Sequence, residues 1–198
     1  MAAPALSSRF DPLVELYGMW TTELAEHYLP VPGAPPAKYE CVDGYLIMSP
    51  YEAAPNVVAA IELRTLCKRS ARALGLWAYT TLNLRFGEQR WIQPDFAVMR
   101  NQVPGVWADV SDAVIVGEFV SPSSRRNDRV DKPRMCAEAG VPYYFYGQVD
   151  LRRQRVSLRL DRLVGGAYEK IVEASVGEKF EMTEPFGVSF DPIELLDL

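Results

Sequence analysis

Residues 113–120, Ala-Val-Ile-Val-Gly-Glu-Phe-Val, form an almost continuously apolar run. Such a run is typical of a central β-strand that is covered on both faces, because a strand with one solvated face alternates apolar and polar residues. Cover on both sides requires a layer of helix or sheet on each face. Helical and strand patterns alternate along the rest of the chain, so the sequence predicts an α/β (α+β) fold in which helices flank a mixed β-sheet.

Helical spacing predicts two long helices and a short one. Asp11-Pro12 combines a capping side chain with a proline at the first helical position, and apolar residues then recur at helical intervals over residues 12–28. A second helix is predicted over residues 57–74, and a shorter one that ends at Gly140. These helices provide the layers that the central strand needs.

Strand signals separate these helices. Residues 39–42 and 45–48 are predicted to be two strands joined by Asp43-Gly44, a dipeptide that suits the positive φ angles of a type I′ hairpin turn. Further strands are predicted at residues 76–86, 90–99 and 143–146, and three or four short strands follow residue 154.

Length and composition limit the class of protein. A chain of 198 residues is long enough for one domain with a sizeable core, so a single domain over residues 1–198 is expected, with residues 1–11 flexible. No apolar stretch approaches the roughly 20 residues of a membrane span, and no secretory signal precedes the first helix. We therefore expect a cytoplasmic protein that does not enter a membrane. The net charge of −5 does not favour a nucleic-acid partner but permits a local basic patch.

The three cysteines, Cys41, Cys67 and Cys136, are far apart and show no metal-binding spacing. Reduced structural thiols are therefore expected rather than a zinc site or a disulfide framework. His27, the single histidine, lies near the end of the first predicted helix, where a cationic cap is the ordinary role. Serine–histidine or cysteine–histidine catalysis is accordingly not expected.

Asp95 and Glu118 are acidic residues within apolar sequence. An ionised carboxylate in an apolar environment is costly unless it is paired or coordinates a cation, and one metal ion between the two would account for both. Lys132 follows on a polar segment. Acid, acid and lysine in this order indicate metal-dependent phosphodiester chemistry.

Each of these residues also has a purely structural interpretation. Asp95 could end a strand and accept backbone hydrogen bonds, and Glu118 could pair with a buried arginine or lysine. Lys132 could be a solvated residue on the face of a helix, which is the common fate of lysine. The sequence leaves these alternatives open.

An ordered set of motifs runs through the chain: Pro94-Asp95, residues 118–124, Asp128, Lys132 and residues 137–144. This set resembles the Uma-two-type family of restriction-endonuclease-like proteins in the PD-(D/E)XK nuclease superfamily. Upstream, residues 20–30 and 39–44 are similar to the opening of that family, so the resemblance covers residues 16–196. It implies a restriction-endonuclease-like core with an N-terminal helix and hairpin and a β-rich C-terminal tail. It also implies an endonuclease that acts on DNA and depends on Mg²⁺ or Mn²⁺.

The resemblance assigns roles to the acids and the lysine. Asp95 and Glu118 would be the metal ligands. The usual superfamily lysine lies two residues beyond the second acid, where this chain has Val120. In this family the lysine lies on the following helix, where Lys132 stands, and it would orient the attacking water or stabilise the phosphate. Glu40 would bind or orient the metal from another side, although an exposed strand acid is an equal alternative.

Three further residues are supporting candidates by the same resemblance. Asn56 stands where relatives commonly have a histidine, and an amide can donate a hydrogen bond but cannot shuttle a proton near neutral pH. Asp128 would cap or orient the helix of Lys132. Ser121 follows the second acid, where a loop or helix-capping role is the simplest interpretation.

Three basic clusters are candidate DNA contacts. Arg125, Arg126 and Arg129 flank the proposed site. Arg64, Lys68 and Arg72 lie on one stripe of the second predicted helix, and Arg152, Arg153 and Arg155 form a third group. Any of these clusters could instead be an ordinary solvated face. A homodimer is also expected, because enzymes that cut both strands often pair two sites and the β-rich tail offers edge strands.

Two other functions compete with the nuclease. A catalytically impaired or repurposed relative could bind nucleic acid or a protein through the same scaffold, which Asn56 and the acidic net charge favour. A different metal-dependent hydrolase could use the acids on a small phosphate ester.

Overall fold

A computed structural model describes residues 10–120 and 130–196. The α-helices among these residues are α1 (Pro12–Glu15), α2 (Thr22–Tyr28), α3 (Ala54–Ala73) and α4 (Lys132–Glu138). Short 3₁₀ helices cover Val110–Asp112, Leu151–Arg153 and Pro192–Leu196. None of the helices in the described ranges has the length and apolar character that crossing a membrane requires.

The strands, in chain order, are β1 (Lys38–Val42), β2 (Tyr45–Ser49), β3 (Trp77–Tyr79), β4 (Asn83–Gly87), β5 (Arg90–Ile92), β6 (Phe96–Met99), β7 (Trp107–Asp109), β8 (Ala113–Phe119), β9 (Tyr143–Asp150), β10 (Arg155–Val164), β11 (Ala167–Ser175), β12 (Phe180–Met182) and β13 (Val188–Phe190). The chain divides into two compact units, one of residues 10–51 and 87–91 and one that begins at Glu52 and omits residues 87–91. A single domain over the whole chain stays a prediction.

The first unit is built on the predicted hairpin. Strands β1 and β2 pair antiparallel from Lys38–Ser49 to Val42–Tyr45. The turn residues Asp43 and Gly44 have φ angles of 52° and 83°, which confirms the type I′ turn. Strand β5 joins the other side of β1, where Trp91 faces Cys41.

The prediction of one helix over residues 12–28 is wrong in its middle. Helix α1 ends at Glu15 and α2 starts only at Thr22. Between them Gly18 adopts a φ of 75°, in the left-handed region that breaks a right-handed helix. Thr21 then caps α2, because its side chain accepts a hydrogen bond from the Leu24 N–H at 3.1 Å. The helical spacing of apolar residues over residues 12–28 therefore comes from two short helices that follow one another along the chain.

The second unit contains a six-stranded sheet in the order β11–β10–β9–β8–β6–β3. Strands β8 and β9 pair parallel, and the remaining neighbours pair antiparallel. All seven residues of β8 are buried, as the apolar run predicts. The predicted mixed sheet, its flanking helices and the β-rich C-terminal tail are confirmed.

Helix α3 covers one face of this sheet. Its buried residues join one apolar cluster with side chains of β6, β8, β9 and β10. Within that face Phe96 pairs with Gly117, and Gly117 pairs with Phe145. The two phenyl rings approach edge to face with centroids 6.0 Å apart, so Gly117 lies between two aromatic residues that leave no room for a side chain.

We predict that Gly117→Ala lowers the free energy of unfolding by about 1–3 kcal/mol, the usual cost of overfilling a packed core. A Cβ at this position would lie 2.9 Å from Cβ of Phe145 and 3.2 Å from the Phe145 carbonyl oxygen, which cannot move aside. Urea unfolding followed by circular dichroism measures the change. Gly187→Ala is the control, because within residues 10–120 and 130–196 no atom beyond Gly187 and its chain neighbours lies within 4 Å of a Cβ there. Equal stability of the two variants would contradict the prediction.

Candidate active site

Asp95 lies at a bend immediately before β6 and is 7% exposed. Its Oδ2 accepts a hydrogen bond from the backbone N–H of Phe119 at 2.8 Å. Phe96 pairs with Gly117 across β6 and β8, so extending this antiparallel register by one residue brings Asp95 opposite Glu118. Position 95 therefore faces position 118 where the two chain segments run side by side.

Glu118 is 3% exposed and forms an ion pair with Lys132, which is 2% exposed. Nζ of Lys132 lies 2.9 Å from Oε1 of Glu118. The interpretation of Lys132 as a solvated residue is therefore wrong. The buried glutamate–lysine pair that was the structural alternative for Glu118 does exist, and its lysine is the residue proposed for the site. The Glu118–Lys132 ion pair is therefore compatible both with a purely structural role and with a role in a catalytic site.

The two faces of β8 have different roles. Ile115, Gly117 and Phe119 belong to the face that α3 covers, and because strand side chains alternate, Glu118 points to the opposite face. Its contact with Lys132 places α4 over that opposite face. The acid is therefore enclosed between the sheet and a helix, where an ion pair offsets part of the cost of removing both charges from water.

Cys136 lies one turn after Lys132 on α4 and is fully buried. Burial raises the pKa of the Cys136 thiol, and the Glu118 charge raises it further, while the Lys132 charge acts in the opposite direction. A protonated thiol is a poor nucleophile. The sulfur therefore acts as a packing group beside the acid, in agreement with the expectation of structural thiols.

Asn56 is buried in the first turn of α3. Its Nδ2 donates to the Phe119 carbonyl oxygen at 2.9 Å. The residue whose N–H is bound by Asp95 therefore has its carbonyl bound by Asn56. Asn56 acts as a positioning residue, because it holds the end of β8 and, through it, the carboxylate of Asp95.

A cavity of about 90 Å³ opens beside these residues. Its polar lining includes Glu52, Asn56, Thr80, Thr81 and Asp95. Oε2 of Glu52 lies 3.5 Å from Nδ2 of Asn56. Sequence reasoning missed Glu52 because it stands in a loop rather than in an apolar run. Its spacing of four residues before Asn56 was the available signal.

The acids fit a hard divalent cation of the magnesium type. No three histidine, cysteine, aspartate or glutamate side chains within residues 10–120 and 130–196 are grouped closely enough to hold a metal ion. Mg²⁺ does not need such a group, since it commonly binds through one or two carboxylates and keeps several waters. A carboxylate offers about four acceptor positions, so the hydrogen bonds of Asp95 and Glu118 are compatible with metal coordination.

Glu40 belongs to the first unit, on β1 opposite Ile47. It is 3% exposed, so the interpretation as an exposed strand acid is wrong. Lys38 lies two residues away on the same face of the strand and is also buried. A role for Glu40 at the metal stays a prediction.

The predicted basic stripe on α3 makes local contacts. The Arg72 guanidinium stacks over the Trp77 ring, 3.4 Å from its centroid, and Nε of Arg64 donates to the Ala78 carbonyl oxygen at 3.0 Å. Lys68 is exposed on the same helix. Two of these three side chains therefore help to hold α3 against β3. The remaining predicted site residues, Ser121, Arg125, Arg126, Asp128 and Arg129, lie outside the described residues.

Comparison with known proteins identifies a family and a similar fold. Residues 25–194 match the family model Uma2, described as "Putative restriction endonuclease". A solved structure from Anabaena variabilis, titled a "putative nuclease" of a domain family of unknown function, aligns with a TM-score of 0.60 at 16% identity, covering 87% of this chain and 96% of that one. That likeness concerns the fold alone. No curated protein matches the chain significantly. Since the family model spans most of the sequence, the chain belongs to the Uma2 family of restriction-endonuclease-like proteins.

Proposed function

We propose that this protein is a Mg²⁺-dependent endonuclease that hydrolyses phosphodiester bonds of DNA. The observation that carries the proposal is the convergence of two buried acids and a buried lysine from three separate elements. Removing charged groups from water costs free energy, and buried charged groups of this kind cluster at catalytic sites. Membership of a family described as restriction endonucleases supports the same chemistry. A cytoplasmic location and a homodimer stay predictions.

Asp95 and Glu118 are the residues that would hold the cation. A bound divalent cation polarises a phosphoryl oxygen and makes a nearby water more acidic. Asp95 is oriented by the Phe119 N–H, and Glu118 is oriented by Lys132. Both carboxylates are therefore fixed before substrate arrives, and preorganised charge of this kind stabilises a transition state without reorganisation.

Lys132 contributes a positive charge next to Glu118. Its ammonium has three donors, and one is directed at Glu118. The ammonium would orient the attacking water or stabilise the negative charge that develops on the phosphate. Asn56 takes no part in proton transfer, because a neutral amide does not titrate near neutral pH. Its contribution is to hold Phe119, which the hydrogen bond at 2.9 Å achieves.

A non-catalytic binding module is the second candidate. The Glu118–Lys132 pair favours it, because each buried charge has a partner of opposite sign with no metal present. The two functions differ in whether a divalent cation binds at the acids, so metal dependence separates them.

We predict that Asp95→Asn reduces Mg²⁺-dependent cleavage of DNA by about 100-fold or more, the size of effect that follows loss of one preorganised electrostatic group. Asparagine can still accept the Phe119 hydrogen bond, so the fold should persist. A panel of single-stranded, duplex and supercoiled DNA, assayed with Mg²⁺ and with chelator, measures the loss. Asp112→Asn is the matched control, because Asp112 precedes β8 at the end of the strand opposite Glu118, where it accepts a side-chain hydrogen bond from Asn101. Cleavage by Asp95→Asn at the wild-type rate would refute the assignment.

We predict that Lys132→Met lowers the free energy of unfolding by about 3–5 kcal/mol in chelator, because the buried carboxylate of Glu118 loses its ammonium. Mg²⁺ should restore part of this stability, by about 2.7 kcal/mol at 100 times its dissociation constant, since a ligand that binds only the native state stabilises it. Thermal and urea unfolding with and without Mg²⁺ measure both effects.

The control for this prediction is the double variant Lys132→Met/Glu118→Gln. It removes both charges of the pair, so Mg²⁺ should no longer raise its stability. A Lys132→Met protein whose unfolding does not respond to Mg²⁺ would favour the binding module over the enzyme.

A further inference from the structure

A polar row crosses the face of the sheet that carries Glu118. Glu118 pairs with Tyr146 on β9, Tyr146 pairs with Arg159 on β10, and Arg159 pairs with Glu173 on β11. Side chains of directly paired residues share one face of a sheet, and neighbouring strands lie about 4.8 Å apart. The row therefore leads from the buried acid outward, one strand at a time, to exposed residues.

A cavity of about 300 Å³ opens along this row. It is lined by Val120, Tyr146, Gln148, Ser157, Leu158, Arg159 and Glu173. Its inner end begins at Tyr146, the direct neighbour of Glu118. Pockets for small organic ligands start at about this volume, so the cavity has room for a group of the size of a single nucleoside.

The inner wall of the cavity carries an aromatic ring and a guanidinium group, each in contact with a buried neighbour. The Tyr146 ring packs against Tyr144, with centroids 4.8 Å apart, and the Arg159 guanidinium carbon lies 5.5 Å from the Tyr146 ring centroid. Asp161, which is 1% exposed, holds the guanidinium through contacts of 2.6 and 2.7 Å, while the Arg159 side chain remains 43% exposed. Aromatic rings and guanidinium planes fixed in this way are the surfaces on which bases stack.

The phenol of Tyr146 keeps its proton. Burial raises the pKa of Tyr146 to about 12, with the Asp161 charge adding to the rise and Arg159 opposing it. The hydroxyl therefore stays neutral and remains able to donate a hydrogen bond at any physiological pH.

The charges around the cavity compensate one another. Arg159 is paired with Asp161, and Glu173 is paired with Lys170. Among the residues that the structure describes, the cavity lining therefore has no excess of the positive charge that binds a phosphate. Gln148 and Ser157 face each other across β9 and β10 and supply an amide and a hydroxyl, which carry both donors and acceptors. Neutral groups of this kind match the edge of a nucleobase.

We propose that this cavity receives one unstacked base of the nucleic-acid strand whose phosphate lies at Asp95 and Glu118. The inference rests on the proposed nucleic-acid substrate and adds to it a site for the neighbouring base. A base inside a duplex would have to leave its stack to enter. The site therefore favours single-stranded or locally unpaired DNA.

The test uses the full-length protein in chelator and single-stranded 12-mer oligonucleotides, each with one abasic position. Removing the base that enters the cavity should weaken wild-type binding by roughly 5- to 100-fold, the range for loss of one stacked base. Other abasic positions should change binding by less than about 3-fold. Fluorescence anisotropy gives the dissociation constants, and 2-aminopurine at the sensitive position reports stacking directly.

Two variants locate the base in the cavity. In Tyr146→Ala, and independently in Gln148→Ala/Ser157→Ala, the abasic effect should fall below about 2-fold. The second variant guards against unfolding of the first, since Gln148 is exposed and Ser157 is half-buried. Gln102→Ala, an exposed glutamine in a loop of the same unit, should keep the wild-type effect.

Three outcomes would overturn the proposal. These are no binding of any oligonucleotide, equal binding with and without each base, or an abasic effect that persists in both cavity variants. Cleavage in Mg²⁺, measured separately on the same proteins, tests the nuclease itself. Cleavage without a position-dependent abasic effect would contradict the base site alone. A position-dependent abasic effect without cleavage would contradict the nuclease alone.

Discussion

The carboxylate of Glu118 on a strand buried along its whole length is the constraint on which the second unit depends. An uncompensated charge there would be prohibitive, so the face that carries it must also bring a cation. Lys132 on α4 does so at 2.9 Å. The opposite face has no such requirement and packs in the ordinary way, with phenyl rings against α3. One acid thus makes the two faces of the sheet chemically different.

The Phe119 peptide group links the two sides of the candidate site. Its N–H is bound by Asp95 and its carbonyl by Asn56. The resemblance to the family leads one to expect a histidine at position 56. A histidine ring and an asparagine amide can both donate a hydrogen bond, whereas only the ring can carry a proton near neutral pH. The hydrogen bond to the Phe119 carbonyl therefore needs only the amide that this chain has.

The sequence allowed prediction of those features that depend on neighbouring residues. Asp43-Gly44 specifies its turn through backbone sterics, and the run at 113–120 specifies two-sided burial. The apolar residues on either side of Asp95 and Glu118 indicated that both acids are buried. The break at Gly18 could not be predicted, because a glycine in a helical pattern is compatible with either conformation. Arg72 could not be assigned to packing, because its partner Trp77 lies beyond the end of its own helix.

The polar row from Glu118 to Glu173 could not be predicted from the sequence for a different reason. Its members come from four strands, and their alignment depends on register. A slip by one residue would turn each side chain to the other face. Alternation within one strand can be read from sequence, but the partner of each residue on the next strand cannot. Glu52 was missed for a similar reason, since only the fold brings its loop to Asp95.

The parallel pairing of β8 with β9 explains how the lysine can lie far from the acid in sequence. Two parallel neighbours cannot be joined by a tight turn, so the connecting chain must travel back along the sheet before the second strand begins. Here α4 is part of the crossover connection between β8 and β9, and it packs over Glu118. A lysine transferred from the strand to the returning helix therefore arrives above the same carboxylate. A functional lysine can therefore lie either on the strand or on the connecting helix, because the connection between β8 and β9 passes over the face of the sheet that carries Glu118.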